Sequence, residues 1–454
     1  MTTESISLER VGFPKIDAPR ERPALDGDEY RRRMRLLLDA AGANAVVVYG
    51  DREHCANLVY CCGFDPRFEE ALLVLTSSSA SLIVGNEGLD YAKLLPVELE
   101  VILAPSLSLL GQSRSEGHTL VEALAMAGLK PHASVGIVGW KYFTSEEMPV
   151  SDPPLAVPSF VLVAVKAATH GGDVHDATPV VMGPETGLRA SNSADELALF
   201  EWGAARASAA VARVIAAASP GTSEEEAVAS AGYAGEPLTA HVMFASGSGL
   251  VGLRSPTERL LRDGDAVTTA IGYWGGLCSR AGVLASRNGG DAFERDLARP
   301  YWRAIASWYE AVGIGVRGGD IDAEIRSILN GGRIRPALNP GHLTGVDEWI
   351  HSPIRPESSD LLRSGMALQC DIIPVGGDPA WASNCEDTIA LADDALRAEL
   401  RRCHPAVWTR IEERKRFMRD TLGIRLRDDI LPLSGTNAYF PPYWLSPDLA
   451  FVKA

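Results

Sequence analysis

Apolar residues recur at helical spacing beneath a charged face over residues 28–40 (DEYRRRMRLLLDA), and Ala45-Val46-Val47-Val48-Tyr49 follows as an unbroken apolar run. The first pattern predicts an amphipathic helix and the second a buried strand, which together open an α/β unit. Apolar runs at 71–75, 80–84, 101–103 and 135–138 predict further strands with helical stretches between them, so a first α/β domain is read over residues 1–185. Asp152-Pro153-Pro154 is excluded from a central strand, since proline donates no ladder hydrogen bond.

A second domain is read over residues 186–454. Ser193 and Glu196 form a capping-box-like start to an Ala-rich helix that runs to about Ala218, where Ser219-Pro220-Gly221 stops it. Another helix is predicted after Thr222-Ser223-Glu224-Glu225-Glu226, strands and turns over 240–290 and 366–393, and charged amphipathic helices over 293–314 and 396–423. This mixture is α+β. The tail 431–454 has no periodicity and receives no assignment.

At 454 residues the chain exceeds what one hydrophobic core supports, consistent with two domains. Its 43 Lys and Arg against 59 Asp and Glu give a net charge of −16, which repels a phosphate backbone and argues against a nucleic-acid partner. The first residues, MTTESISLERVGFPKID, carry acidic residues where a secretory signal is basic, and no apolar run approaches the roughly 20 residues that span a bilayer. Seven cysteines without CxxC spacing fit reduced thiols. A cytoplasmic protein with no membrane partner is expected.

Candidate chemistry comes from an ordered series in the second half: Gly264-Asp265 opening a strand, Arg280 closing the next, Gly341-His342, Gly365-Met366 and Glu386-Asp387-Thr388. Together with Ser219-Pro220-Gly221-Thr222-Ser223-Glu224 and the segment Phe64-Asp65-Pro66-Arg67-Phe68-Glu69-Glu70-Ala71, this series resembles the creatinase/aminopeptidase P/prolidase family. The resemblance covers residues from about 28 to 395. It implies a pita-bread C-terminal domain behind a smaller creatinase-type N-terminal domain, and a homodimer.

Family metallopeptidases hold two divalent ions with two aspartates, a histidine and two glutamates, because hard oxygen ligands bridging two ions activate a water. Aligned on that pattern, the aspartate positions are Ala270 and Leu277, and the other three are His342, Asp371 and Glu386. Either the three retained residues hold one ion, or the loss of the aspartates ends useful metal binding; the second is the favoured reading, so no cofactor is expected and a single divalent ion is the alternative. Glu386 could also serve as a plain salt-bridge partner. The family's two proton-transfer histidines align with Leu253 and Trp349, which leaves His342, with Glu386 or Asp371 beside it, as candidate acid/base, and His351 as a second candidate or a solvated loop residue.

Creatinase is the family's metal-free hydrolase, and the resemblance extends to it through Arg355 and Arg67, which align with arginines that bind its substrate's carboxylate; Arg67 would come from the other subunit. A planar bidentate donor suits that task. Phe64, Tyr273, Trp349, Leu253 and Leu277 are candidate substrate-lining residues, with Trp274 and Trp381 as further aromatics that line the pocket or belong to the core. Cys278, Cys370 and Cys385 each adjoin a site position and are expected to face away by strand alternation. The expected function is therefore metal-independent, creatinase-like hydrolysis of a C–N bond in a small carboxylate-bearing nitrogenous compound, or a repurposed lyase, isomerase or cyclisation step. The alternatives are a residual single-metal X-Pro peptidase and a non-catalytic binding protein on the same fold.

Overall fold

The computed structural model describes residues 5–151, 153–287, 292–330 and 334–454. Asp152 of the predicted non-strand segment, and positions 288–290 of the predicted strand-and-turn region, lie outside the described residues. The chain forms two compact units: 25–190, and 1–24 together with 191–454. The boundary expected at 185 falls at 190, and residues 5–24, expected in the N-terminal domain, group with the C-terminal unit, where Ile6–Arg10 pairs antiparallel with Leu449–Lys453.

In the smaller unit, helix α1 (Gly27–Ala41) is capped by the Asp26 carboxylate and ends at Gly42 in the left-handed conformation. It is followed by strands β1 (Ala45–Gly50), β2 (Ala71–Thr76), β3 (Ala80–Val84), β4 (Glu100–Leu103), β5 (Val135–Val138) and β6 (Val174–Asp176). These form one six-stranded sheet in the order β4-β3-β2-β1-β5-β6. Val46, Val47 and Val48 of β1 are fully buried, as a strand covered on both faces requires.

The larger unit is built on helix α2 (Ala194–Ala217), with Ser193 Oγ accepting from the Glu196 amide at 3.3 Å. Its sheet contains β7 (Met243–Ser246), β8 (Ala266–Tyr273), β9 (Gly276–Val283), β10 (His342–Leu343), β11 (Ala367–Cys370) and β12 (Asn384–Leu391), in the order β10-β11-β12-β9-β8-β7 with antiparallel neighbours. The β8–β9 hairpin turns at Gly275, φ +107°, where an added Cβ would stand 2.2 Å from the Phe200 backbone. Gly203 lets the helix approach that turn, since a Cβ there would meet the Trp274 carbonyl oxygen at 2.0 Å. Ala207, Val211 and Val214 of α2 pack on Phe244, Val267, Ile271, Tyr273 and Cys278.

The helix expected over 293–314 is observed from Arg299 to Ala311 after a single wide turn, Glu294–Ala298. The one expected over 396–423 is split at His404 into α-helices Asp394–Cys403 and Pro405–Arg416, because proline disfavours helical backbone in the residue before it. The unassigned tail proves to be core: Tyr439, Phe440 and Trp444 are at most 1% exposed. Among the described residues no helix is long and apolar enough to cross a membrane.

Candidate functional site

Strand register sorts the central residues onto two faces. Met243 pairs with Ala270, Ala270 with Ser279, and Ser279 with Glu386, so these share one face, to which alternation adds Leu277. The opposite face carries Phe244, Ile271, Cys278, Arg280, Cys385 and Asp387. On the first face Met243, Ala270 and Leu277 form a small apolar cluster with Ala240 against them. The two positions aligned with metal aspartates are thus carbon surface, 8% and 5% exposed.

Three acid/base side chains converge beside this wall. His342, Asp371 and Glu386 each offer a ligand atom, all within 4.8 Å of one another, and all three residues are buried. Gly341 lets β10 close on β11; a Cβ there would stand 2.8 Å from the Gln369 carbonyl oxygen. His342 Nδ1 lies 3.2 Å from the Leu343 carbonyl oxygen, and Trp349 stacks on the ring at 4.1 Å between centroids and 21°. With Nδ1–H donated, Nε2 carries the lone pair. Nε2 is 3.1 Å from Glu348 Oε1 and 3.9 Å from Asp371 Oδ2, yet it has no hydrogen bond, and neither has Asp371 Oδ1.

Glu386 Oε1 accepts from Gln369 Nε2 at 3.1 Å, while the same amide donates to the Leu277 carbonyl at 2.8 Å. Thr388 Oγ1 donates to Gln369 Oε1, which fixes the amide's orientation. Burial, with repulsion from Asp371 and Glu348, holds the Glu386 carboxyl well above the usual carboxylate range. Burial pushes Asp371 up to about 7; nearby Glu348 adds to this and His342 opposes it. Burial works against a charged His342, but Glu348 and Asp371 outweigh it and its pKa is raised.

These residues fit a divalent ion. The set is one imidazole with its second nitrogen already hydrogen-bonded, plus two carboxylates, and the buried Asp371 Oδ1 has no hydrogen bond among the described residues. Among the described residues no arginine or lysine hydrogen-bonds or ion-pairs with either carboxylate, and the basic group beside them is His342, so a cation would bind here in exchange for protons. The trio supplies one group of donors, and Ala270 and Leu277 on the adjoining wall offer none.

The other predicted residues are dispersed. His351 pairs through its backbone with Leu343, and its Nδ1 accepts from the Ser352 amide at 2.8 Å. Arg355 is bound by Asp360 and donates to the Ser352 carbonyl at 3.0 Å. Leu253 is 69% exposed, and its carbonyl lies 2.7 Å from His241 Nε2. Tyr273 does not line the site: it falls on the face opposite Glu386, buried under α2, where burial raises its pKa to about 12. Phe64 is likewise core, at 2% exposure in the smaller unit. Arg67, in the same unit, is held by Asp65 and by Tyr91 Oη at 2.8 Å. Trp274 carries the Arg22 guanidinium over its ring at 5.1 Å, and Trp381 packs on Phe293.

Sequence reasoning missed Glu348 and Gln369. Glu348 is a single acid in a loop, and its adjacency to Trp349 was the only available signal; Gln369, two residues before Asp371, could have been found from the strand period. The three cysteines do turn away: Cys278 and Cys385 lie against Asp387 on the opposite face, and Cys370 pairs with it.

No protein-family model matches the sequence, and no curated protein does. Solved structures do match. The prolidase from Pyrococcus horikoshii OT3 superposes with a TM-score of 0.62 at 18% identity, covering 80% of this chain and 95% of that one. The Xaa-Pro dipeptidase from Bacillus anthracis gives 0.60 at 17% identity over 82% and 96%. The X-Pro aminopeptidase from Thermotoga maritima MSB8 gives 0.61 at 14% identity over 80% and 95%. This likeness shows the fold: the α+β pita-bread architecture expected from the motif series is the one observed.

Proposed function

We propose that this chain, on the pita-bread fold of the prolidases and X-Pro peptidases, is a hydrolase of amide bonds of the X-Pro kind that works with one divalent ion held by His342, Asp371 and Glu386. The observation that carries the reading is the buried donor trio within 4.8 Å, with Asp371 Oδ1 lacking a hydrogen bond and His342 Nε2 facing the Glu348 and Asp371 carboxylates. A bound ion would polarise a carbonyl and lower the pKa of water. Stacking on Trp349 fixes the plane of the His342 ring, and the Gln369 amide fixes Glu386 Oε1. Glu348, 26% exposed at its side chain and beside His342, takes the role of proton acceptor left open at Leu253 and Trp349.

The metal-free, creatinase-like reading draws its support from the apolar wall of Met243, Ala270 and Leu277 and from the raised pKa values of Asp371 and Glu386, which suit them to be proton donors. It is weakened by Arg355, whose guanidinium is already bound to Asp360. Elemental analysis of the purified chain after manganese loading, with a chelator-treated control, decides between them. About one ion per chain, lost in His342→Ala and accompanied by hydrolysis of X-Pro dipeptides, supports the single-ion hydrolase. Absence of bound ion in both samples rejects it and turns the search to small guanidino and amino-acid derivatives.

A further inference from the structure

The His342, Asp371 and Glu386 side chains lie behind one loop. His342 is fully buried, the two carboxylates are each 5% exposed, and His342 Nε2 and Asp371 Oδ1 are buried atoms. A hydrated divalent ion cannot reach them while their cover stays in place.

That cover consists of residues that do meet solvent. Burial is complete through Gly345, gives way over Val346, Asp347 and Glu348, reaches full exposure at Trp349 and returns at Ile350. The Trp349 indole lies on the His342 ring, and Glu348 Oε1 lies 3.1 Å from Nε2. Of the side chains placed at the site these two reach furthest into solvent, since Met243, Ala270, Leu277 and Gln369 are at most 8% exposed.

The loop is fastened at its base. Leu343 N–H donates to the His351 carbonyl at 2.7 Å, Ile350 N–H to the Leu343 carbonyl at 3.0 Å, and Gly275 N–H to the Gly345 carbonyl at 2.8 Å. These bonds pin both ends of the segment, to β10 and to the β8–β9 hairpin, on either side of the tip 346–349. Glycine at 345 keeps the near end close, because a Cβ there would stand 3.3 Å from Phe200 Cζ and from Ile350 Cδ1.

We propose that residues 346–349 are a lid on the ion site: the tip swings out to admit a divalent ion and closes again with the indole on the imidazole. The inference rests on the single-ion reading above. In the closed state Glu348 competes with the ion for Nε2, so arrival of the ion releases this carboxylate from the imidazole. The ligands set the affinity, and the lid slows exchange in both directions.

Stopped-flow mixing of the chelator-stripped full chain with manganese gives the association rate, followed with a fluorescent metal indicator in solution. A chelator chase of the loaded chain gives the release rate, and neither reading uses catalysis. In Trp349→Ala both rates are expected to rise about tenfold or more, release by several-fold more than association. Trp349→Phe keeps a ring on the imidazole and falls between alanine and the parent chain. Leu253→Ala, which trims an exposed leucine outside the tip, leaves both rates at the parent values. Faster release with unchanged association in Trp349→Ala would make the indole a support of the bound ion and overturn the lid. Acceleration by Leu253→Ala alone would place the entrance elsewhere and overturn it too. Failure of the parent chain to take up manganese rejects the ion reading and the lid with it, whereas uptake at equal rates in the parent and every variant rejects the lid alone.

Discussion

Glu386 and Asp387 are neighbours on one strand, both buried, and they point to opposite faces. Asp387 has its cation from the chain. Arg280 NH2 reaches it at 2.6 Å, Thr436 Oγ1 donates at 2.9 Å, and the rest of the guanidinium is absorbed by the carbonyls of Ser279, Glu386, Thr436 and Tyr439. Glu386 has one amide and the company of Asp371 and Glu348, which repel it. The first is a finished ion pair, and the second is a carboxyl whose surroundings disfavour its charge unless a cation is bound. Burial alone therefore does not mark a functional carboxylate; burial without a cation does.

The largest test of that difference is a pair of substitutions. Arg280→Met leaves Asp387 buried and unpaired and should cost about 3–5 kcal/mol in a denaturant titration. Glu386→Gln in the chelated protein should cost nothing or stabilise, since it replaces a buried carboxyl whose charge is disfavoured with a neutral amide that Gln369 can meet. Equal losses from both would erase the distinction.

Titration with pH sharpens it. Asp371 rises from about 3.9 in an unfolded chain to about 7, so between those values the folded state binds more protons and stability falls as pH rises. The raised His342 acts in the same direction: its contribution is full below the unfolded value and is lost as pH climbs through the folded one. Chelated protein should thus lose stability as pH rises from about 4 to about 7. Manganese-loaded protein should show the opposite slope in its stabilisation, because the ion displaces those protons. Thermal melts of the two forms across that range make the comparison.

The same contrast explains what was legible from sequence. Gly264-Asp265, Arg280, Gly341-His342 and Glu386-Asp387-Thr388 could be read in order because each holds a backbone approach or a buried pair that tolerates few side chains: Asp265 binds Arg259 at 2.7 Å, and Gly341 leaves no room for a Cβ. The hairpin residue Tyr273 was misread because proximity along the chain was taken for proximity in space, while a strand's alternation sent it under α2. The tail escaped because its core residues sit on an irregular path, held by carbonyl contacts to Arg280 rather than by any period. Glu348 escaped because a loop acid acquires meaning only from what it faces, and that is His342.

Two smaller effects separate the wall from the site. Leu277→Ala removes a side chain packed on Met243 and Ala270 and should cost about 2 kcal/mol, near the low end for such deletions because a flexible methionine can close on the gap. Metal content should not change, since Leu277 offers no ligand; a fall in manganese stoichiometry would mean that the wall shapes the ligand set.

Trp349→Ala is the finest probe. The indole is 38% exposed and stacks on a fully buried imidazole, so its loss should alter global stability little. What it removes is the restraint on the ring plane, and with it about 1 kcal/mol of metal affinity, a shift of several-fold in the manganese dissociation constant. Trp349→Phe keeps a ring face on His342 and should recover most of that. If alanine and phenylalanine weaken manganese alike, the stack does not orient the ligand, and Trp349 belongs with Leu253 as surface without a role at the ion.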